Sequence, residues 1–362
     1  MKICFTIAAL SYSGAEKVLS SLINVLKLRH EVSVILTGRE SPAVFNNNGV
    51  IEYAGAAHGS RIARTYKRML ITRNNVVKNK YDIVVAFGTI TCVGALDALM
   101  GIKIPLMLCE RNDPIYNPVQ KIYRLRRGAF YRFASGYVFQ TKEIAQFFSE
   151  SIQRRGYIIP NPLIDGQQEN CAANKRRKAI ATVARLDDFQ KNHSMLFKAF
   201  SKFSAVHPEY SLEVYGDGPD EEKYLKMIME LKIQDKVNLY GRVDNPQEHI
   251  KTADIFVLTS NFEGMPNALI EAMSTGLPCI STDCSGGGAA ALIKNNENGI
   301  LIPINDEQSL VTALLKLSED DDLKIKLGSN AYRLNQQLNI LKIAQLWEES
   351  FQDCIQNYHA VR

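Results

Sequence analysis

With 362 residues, 46% hydrophobic and 22% charged, the chain is long enough for two domains with substantial cores and has the composition of a folded globular protein. It contains no low-complexity tract and no apolar run long enough to span a bilayer, which argues against a disordered chain and a polytopic membrane protein. The net charge of +5 is unevenly placed: residues 1–165 carry 22 Lys+Arg against 11 Asp+Glu (+11), and the remainder carries 21 against 27 (−6). Such a split suggests two domains with different partners. Cysteines 4, 92, 109, 171, 279, 284 and 354 are odd in number and scattered. They read as buried thiols of a reducing, cytosolic compartment, and their spacing suits neither disulfides nor a metal site.

The opening "KICFTIAAL" reads as a strand rather than a signal peptide, because a helical pattern with Glu16 and Lys17 follows directly. The handover at 11–14 carries Gly14 and leads into a helix predicted over 15–28, a βα turn where a phosphate can approach backbone. Short apolar runs then recur as strands: "HEVSVILTG", "YDIVVAFG", "IPLMLCE", "GYVFQT" and "YIIPNP". Two basic stretches intervene, at 60–80 and 120–133. In the second, Lys121, Arg124, Arg127 and Arg132 interleave with Tyr123, Phe130 and Tyr131. That pattern fits a solvated helix face or docking against an anionic bilayer.

A polar segment at 163–178 reads as an interdomain linker, and the strand–helix alternation restarts beyond it. The strands are "KAIATVARL", "YSLEVYGDG", "VNLYGRV", "IFVLTS", "PCIST" and "NGILIPI". Three amphipathic helices close the chain, near 306–317, 322–338 and 341–358. The expected architecture is two α/β domains with mostly parallel sheets, 1–163 and 164–340, with the helix from about 341 to 362 packing back on the first. Ligands of such sheets bind beyond the carboxyl ends of the strands, so the working site is expected in a cleft between the halves.

Strand ends of the second half carry chemistry. Arg185 and Lys191 follow the first strand, Gly216 and Asp217 the second, and Arg242 and Val243 the third. The fourth leads into "NFEGMPNALIEAMSTG", where Glu263 precedes a helix predicted over 266–275 and Glu271 lies within it. Pro266 suits a first helical position, and the free amides of Met265 to Ala268 form an anion site at the positive end of the helix dipole. Side chains lean toward a helix's N-terminus, so Glu271 can reach a group beside such an anion. A diphosphate carrying a ribose fits. A capped helix start with a solvated acid remains the plainer alternative.

The series "ARLDDFQKNH…YGDGP…YGRV…TSNFEGMPNALIEAMSTGLPCIST" resembles the C-terminal domain of family 4 retaining glycosyltransferases of the GT-B fold, with Glu263 and Glu271 spaced as their E-x7-E motif. The resemblance extends to "SGAEKVL" and to the "NP" at the linker. It implies a GT-B architecture and transfer of a hexose or N-acetylhexosamine from a nucleotide sugar, a UDP-sugar for preference, forming an α linkage. Arg185 and Lys191 would then bind the donor's diphosphate and stabilise the leaving nucleotide. Glu271 would bind the ribose, and Glu263 would lie by the donor sugar. Gly264, Met265, Pro266 and Asn267 would face phosphate and sugar, with Gly216, Asp217, Arg242 and Val243 near the base. Gly14 would approach the diphosphate from the other domain.

Many relatives place a histidine about where this chain has Arg111 in "CERNDP", so Glu110, Arg111 and Asn112 belong to the acceptor or sugar side and the donor's identity stays open. No metal, no other cofactor and no nucleic acid are expected. The expected acceptor is a lipid-linked oligosaccharide of surface polysaccharide or glycan synthesis, met by a peripheral enzyme on the inner face of the plasma membrane. Lys121, Arg124, Arg127 and Arg132 would face the lipid. A nucleotide-sugar hydrolase or epimerase, or a non-catalytic partner subunit, are the alternatives.

Overall fold

A computed structural model describes residues 1–10, 14–38, 50–53, 60–164 and 176–360. Expectations placed on Ser11 to Ser13 and on most of the linker at 163–178 lie outside the described residues. The chain divides into one unit of Met1–Ile164 with Leu338–Arg362, and a second of Asp165–Gln337.

Among the described residues the first unit holds seven strands: β1 (Lys2–Ile7), β2 (Glu31–Leu36), β3 (Val50–Tyr53), β4 (Ile83–Phe87), β5 (Leu106–Cys109), β6 (Gly136–Phe139) and β7 (Gly156–Ile158). They pair in the order β3-β2-β1-β4-β5-β6-β7, all parallel. Such a sheet is covered on both faces, which is why a run such as Ile83–Phe87 is buried at every position. One face is sealed by Val18, Leu22 and Leu26 of helix Gly14–Leu26, together with Ile343, Trp347 and Phe351 of helix Ile340–Ala360. The other face packs Cys92, Leu96 and Leu99 of helix Thr89–Leu99 around Tyr131 and Phe148.

The second unit holds β8 (Arg177–Val183), β9 (Ser211–Tyr215), β10 (Val237–Gly241), β11 (Ala253–Leu258), β12 (Cys279–Thr282) and β13 (Ile300–Ile302) in the parallel order β10-β9-β8-β11-β12-β13. Phe197, Phe200 and Phe203 of helix His193–Val206 pack against Leu310, Leu314 and Leu317 of helix Glu307–Glu319 at the centre of its core. Both sheets reverse their strand order once, between β1 and β4 and between β8 and β11. At such a reversal neighbouring loops diverge to opposite faces and leave a crevice beyond the strand ends.

Three expectations need adjusting. β3 is an extra edge strand that the sequence reading passes over. The helix predicted over 322–338 is two, Asp321–Tyr332 and Leu334–Gln337. The helix predicted from Pro266 begins at Asn267, with Pro266 in extended conformation (φ −76°, ψ 112°) at the cap, a half-in position that needs no helical ψ. Cysteines 4, 92, 109, 279, 284 and 354 are free and buried, and Cys171 lies outside the described residues.

Candidate active site at the strand reversal of the second unit

The loops leaving β8 and β11 flank the reversal, and they carry the residues singled out in the sequence. Three neighbouring strand ends are first laced together. Ala184 N donates to Tyr215 O (3.0 Å), Leu186 N to Asp217 O (2.9 Å) and Gly216 N to Gly241 O (2.8 Å). Gly216 makes this possible: its φ is +145°, and a Cβ there would stand 2.0 Å from the carbonyl oxygen of Ala184. Asp217 and Arg242 are exposed on this edge, with Gly216 and Val243 half-buried beside them.

The chain then makes a single helical turn, Asp188–Lys191, with the Asp187 carboxylate accepting from Gln190 N. Asn192 follows in the left-handed region (φ +50°), and its amide donates to Asn305 Oδ1 (2.9 Å) and Asn261 Oδ1 (3.2 Å). Asn261 N returns a bond to Gln190 O (2.8 Å), and Thr259 Oγ1 donates to Lys191 O (2.9 Å). These bonds join the β8 loop to the β11 loop on either side of Lys191. They bring the Lys191 ammonium onto Oε1 of Glu263, which also accepts from Ser260 Oγ at 2.7 Å, while Gln190 Nε2 reaches Oε2 at 3.4 Å. Glu263 is 6% exposed, so its charge is held by partners rather than by water.

Arg185 differs from Lys191. It is exposed, and its guanidinium pairs with no described residue, while its carbonyl accepts from Asp187 N (2.9 Å) and meets His193 Nε2 at 3.2 Å. His193 is buried beside Phe197 and Tyr224. Burial pushes its pKa down to about 4, the bond to Arg185 O opposes this, and the nearby Lys191 charge adds to the drop. The ring is therefore neutral at physiological pH and donates from Nε2. Asp188 fixes the same segment from below, accepting from Ser194 N (3.0 Å), Ser194 Oγ (2.8 Å), Lys223 Nζ (2.6 Å) and Tyr224 OH (3.0 Å). Partial burial would raise its pKa, but those donors win and hold it below the ordinary carboxylate range.

Glu263, Gly264, Met265 and Pro266 are buried, and helix Asn267–Ser274 starts at half-buried Asn267 and carries Glu271 at 8% exposure. Gly264 is overlaid by Gly288, where a Cβ would stand 1.7 Å from the Gly264 carbonyl oxygen, so the glycine run after β12 lets two backbones touch above the site. His193, Asp188, Ser260, Gln190 and Asn192 also belong to this site and do not stand out in the sequence. The short polar runs "DDFQKNH" and "TSN" were their only signal.

In the first unit, Gly14 opens its helix and is exposed. Glu110 is 1% exposed, and its carboxylate takes Thr89 Oγ1 (2.5 Å) and Tyr131 OH (2.5 Å), bracing helix Thr89–Leu99 against the segment after helix Lys121–Phe130. Burial raises its pKa, against those two donors and the Arg127 charge. Arg111 and Asn112 are half-buried at the end of β5. Of the four basic residues expected to face lipid, Arg127 does not. It is 5% exposed and donates to Asn117 O (2.8 Å) and Pro114 O (2.7 Å). Arg124 is exposed but spends Nε and Nη2 on Pro118 O (2.6 Å) and Tyr116 O (3.1 Å). Together they hold four carbonyls of the loop that carries Arg111. Lys121 and Arg132 are exposed, near the exposed apolar side chains of Ile122, Leu125 and Phe133.

Among the described residues no group of three His, Cys, Asp or Glu side chains could hold a metal ion, and no helix is long and apolar enough to cross a membrane.

Residues 165–334, nearly the whole second unit, match the family described as glycosyl transferases group 1. The chain is 27% identical over 353 residues, 96% of its length and 97% of the relative's, to a Campylobacter jejuni enzyme named GalNAc-alpha-(1->4)-GalNAc-alpha-(1->3)-diNAcBac-PP-undecaprenol alpha-1,4-N-acetyl-D-galactosaminyltransferase. The family match and the relatives support a glycosyltransferase. Consistent with that, an Escherichia coli UDP-Gal:alpha-D-GlcNAc-diphosphoundecaprenol alpha-1,3-galactosyltransferase is 32% identical over 152 residues, 41% of this chain and 38% of its own. The fold is GT-B, matching HepE of Anabaena in complex with UDP-glucose at a TM-score of 0.81 and 18% identity, over 98% of this chain and all of HepE.

Proposed function

We propose that the protein is a retaining glycosyltransferase of the E-x7-E class that moves a hexose or N-acetylhexosamine from a UDP-sugar to a lipid-linked sugar acceptor, forming an α linkage. The observation that carries this reading is the Lys191–Glu263 pair at the β8/β11 reversal, one turn ahead of an open helix start. There Lys191 and the unpaired Arg185 neutralise the donor's diphosphate together with the amides of the first helical turn. Charge builds on the leaving phosphate as the glycosidic bond breaks, and these groups are already oriented toward it. Glu271 takes the ribose hydroxyls, Glu263 the donor sugar, and the Gly216–Asp217 and Arg242–Val243 loops the base. Gly14 meets the diphosphate, and Arg111 and Asn112 serve the sugar or acceptor. The names of the Campylobacter and Escherichia coli relatives, both on diphospho-undecaprenol, and the UDP-glucose complex of HepE support the acceptor and donor classes.

The acceptor class places the work at a membrane surface. Lys121, Arg124 and Arg132, with Ile122, Leu125 and Phe133, form the surface we assign to the inner face of the plasma membrane, the apolar side chains entering the interface and the cations meeting anionic headgroups. The deciding experiment supplies radiolabelled UDP-sugars to the purified protein with a membrane lipid extract, in the presence of EDTA. Label in the lipid phase supports the proposal. Release of free sugar alone identifies a hydrolase, and a strict need for a divalent cation contradicts the metal-free mechanism.

A further inference from the structure

Cations inside this protein are generally matched to carboxylates or, as Arg127 is at Asn117 O and Pro114 O, to backbone carbonyls. Lys324 meets Asp254, Lys191 meets Glu263, Arg177 meets Glu213 and Arg126 meets Asp97. Arg111 meets neither a carboxylate nor a backbone carbonyl among the described residues. Its guanidinium lies 4.6 Å over the Phe87 ring, Nη2 donates to Asn161 Oδ1, and Nε is enclosed without an acceptor. Asn161 is held in turn by Gln140 Nε2 at 2.8 Å. Burial brings the Arg111 pKa down to about 10, the direction expected for a cation whose surroundings do not repay its lost water. Burying a guanidinium against neutral partners is costly, and the group is braced and pre-oriented for a charge-assisted hydrogen bond to an oxyanion.

The position fits that chemistry. Phe87 ends β4, Arg111 follows β5, Gln140 follows β6 and Asn161 follows β7, so four adjacent strands deliver one residue each to the carboxyl edge of the first sheet. Arg127 and Arg124 tie down the loop beyond Arg111 through its carbonyls, so the guanidinium is carried on a fixed support.

We propose that Arg111 is the centre of an oxyanion subsite within the first unit, and that the substrate this unit receives is acidic. It carries a phosphate or a carboxylate that completes the charge balance of the guanidinium. Calling that oxyanion part of a sugar substrate rests on the glycosyltransferase reading; the anion site itself does not. The diphosphate of a lipid carrier and the carboxylate of a uronic acid are the two sources of this chemistry.

The chain's one tryptophan reports on the site. Trp347 stacks on Phe87 with centroids 6.1 Å apart, and Phe87 carries the Arg111 guanidinium on its ring. The full-length protein is titrated with inorganic pyrophosphate and, separately, with glucuronate, while Trp347 fluorescence is recorded. A saturable change with pyrophosphate assigns the subsite to a carrier diphosphate, and one with glucuronate assigns it to a sugar carboxylate. The change is expected to persist in Lys191→Ala, whose donor site is crippled. In Arg111→Gln the affinity is expected to drop by roughly tenfold or more, with Arg111→Lys in between. No saturable change in the wild-type protein with either anion overturns the inference, whether or not the variants fold, as does an unchanged affinity in folded Arg111→Gln. UDP binding lost in Lys191→Ala with no Trp347 response at all would leave the transferase reading standing and remove only this subsite.

Discussion

Lys191 and Glu263 are 72 positions apart, yet the ammonium of one rests on a carboxylate oxygen of the other, and each is carried by the loop of a different strand at the sheet reversal. Neither residue packs a core. Their shared support, from Thr259, Ser260, Gln190 and Asn192, consists of hydrogen bonds between the two loops and, from Ser260, within one of them. Lys191→Ala therefore leaves Glu263 its bonds to Ser260 and Gln190, and the fold is expected to persist. Transfer from a UDP-sugar should fall about a hundredfold to a thousandfold, the effect of removing one group that stabilises a charged transition state. Steady-state rates beside a thermal melt check this, and full activity in the folded variant would sink the assignment.

Arg185 offers a cleaner version of the same test, because its side chain has no partner among the described residues to lose. In Arg185→Ala the unfolding free energy should stay within about 0.5 kcal/mol of wild type, as for surface positions generally. UDP affinity, read by calorimetry, should weaken clearly. Unchanged affinity would mean that the guanidinium points into solvent and nothing else.

His193 gives a pH signature. Its pKa, near 6.5 unfolded, is lowered to about 4 in the fold, chiefly by burial. The unfolded chain then binds the proton first as pH falls. The penalty is absent above pH 6.5, grows as pH drops toward 4 and is complete below that. Its slope is at most about 1.4 kcal/mol per pH unit. Urea unfolding at pH 7 and pH 4.5 should therefore show a smaller pH loss in His193→Phe than in wild type, and equal losses would refute the buried neutral ring. Asp188 shifts in the same direction, but for an acid a lowered pKa favours the fold, so its contribution is present above the ordinary carboxylate range and is lost as pH falls through and below it.

Lys324 tests the other edge of the same sheet. It is 4% exposed and donates to both oxygens of Asp254 (3.1 and 2.8 Å), which also accepts from Tyr210 OH. Lys324→Met strands a buried carboxylate, at a cost of about 3–5 kcal/mol. Because Asp254 lies at the start of β11 and Glu263 beyond its end, UDP affinity at a temperature where the variant is folded should be unaffected. A matched loss of affinity would mean that the two edges are coupled.

The membrane proposal divides the basic stretch in two. Lys121→Glu with Arg132→Glu should abolish binding to anionic liposomes without moving the melting temperature, and wild-type binding should weaken steeply with salt. Arg127→Glu should instead lower the melting temperature by several degrees, because it removes bonds to Asn117 O and Pro114 O. Equal liposome binding by wild type and the double variant would make the patch an ordinary solvated surface.

Much of this architecture is legible in the amino-acid sequence. Buried parallel strands are short apolar runs with little alternation, and twelve of the thirteen among the described residues stand out as such between helical stretches. β3 does not, because "VIEY" is a four-residue edge strand following an asparagine-rich run and leaves no such block. The strand ends of the second half were legible because charged residues interrupt apolar sequence there. Arg127 was misjudged because its chemical type suggested solvent. The better clue was spacing: Tyr123, Arg127 and Tyr131 fall four apart on one helical face, and that face turns inward. Nor could spacing reveal that His193 would serve Arg185, since the bond depends on a left-handed Asn192 turning the chain back on itself.

The return of the chain at Leu338 has a consequence for biosynthesis. Leu163 N bonds Leu338 O at 2.7 Å, so the departing and returning segments lie side by side, and Ile343, Trp347, Phe351 and Cys354 complete a face of the first sheet. A ribosome emits those residues only after the whole second unit. While the second unit is being made, for roughly ten to thirty seconds at ordinary elongation rates, the apolar seat for Trp347 stands open to water. The nascent chain thus has a long interval in which its first unit is also its stickiest, and a stop codon ahead of helix Ile340–Ala360 would injure a unit translated well before it.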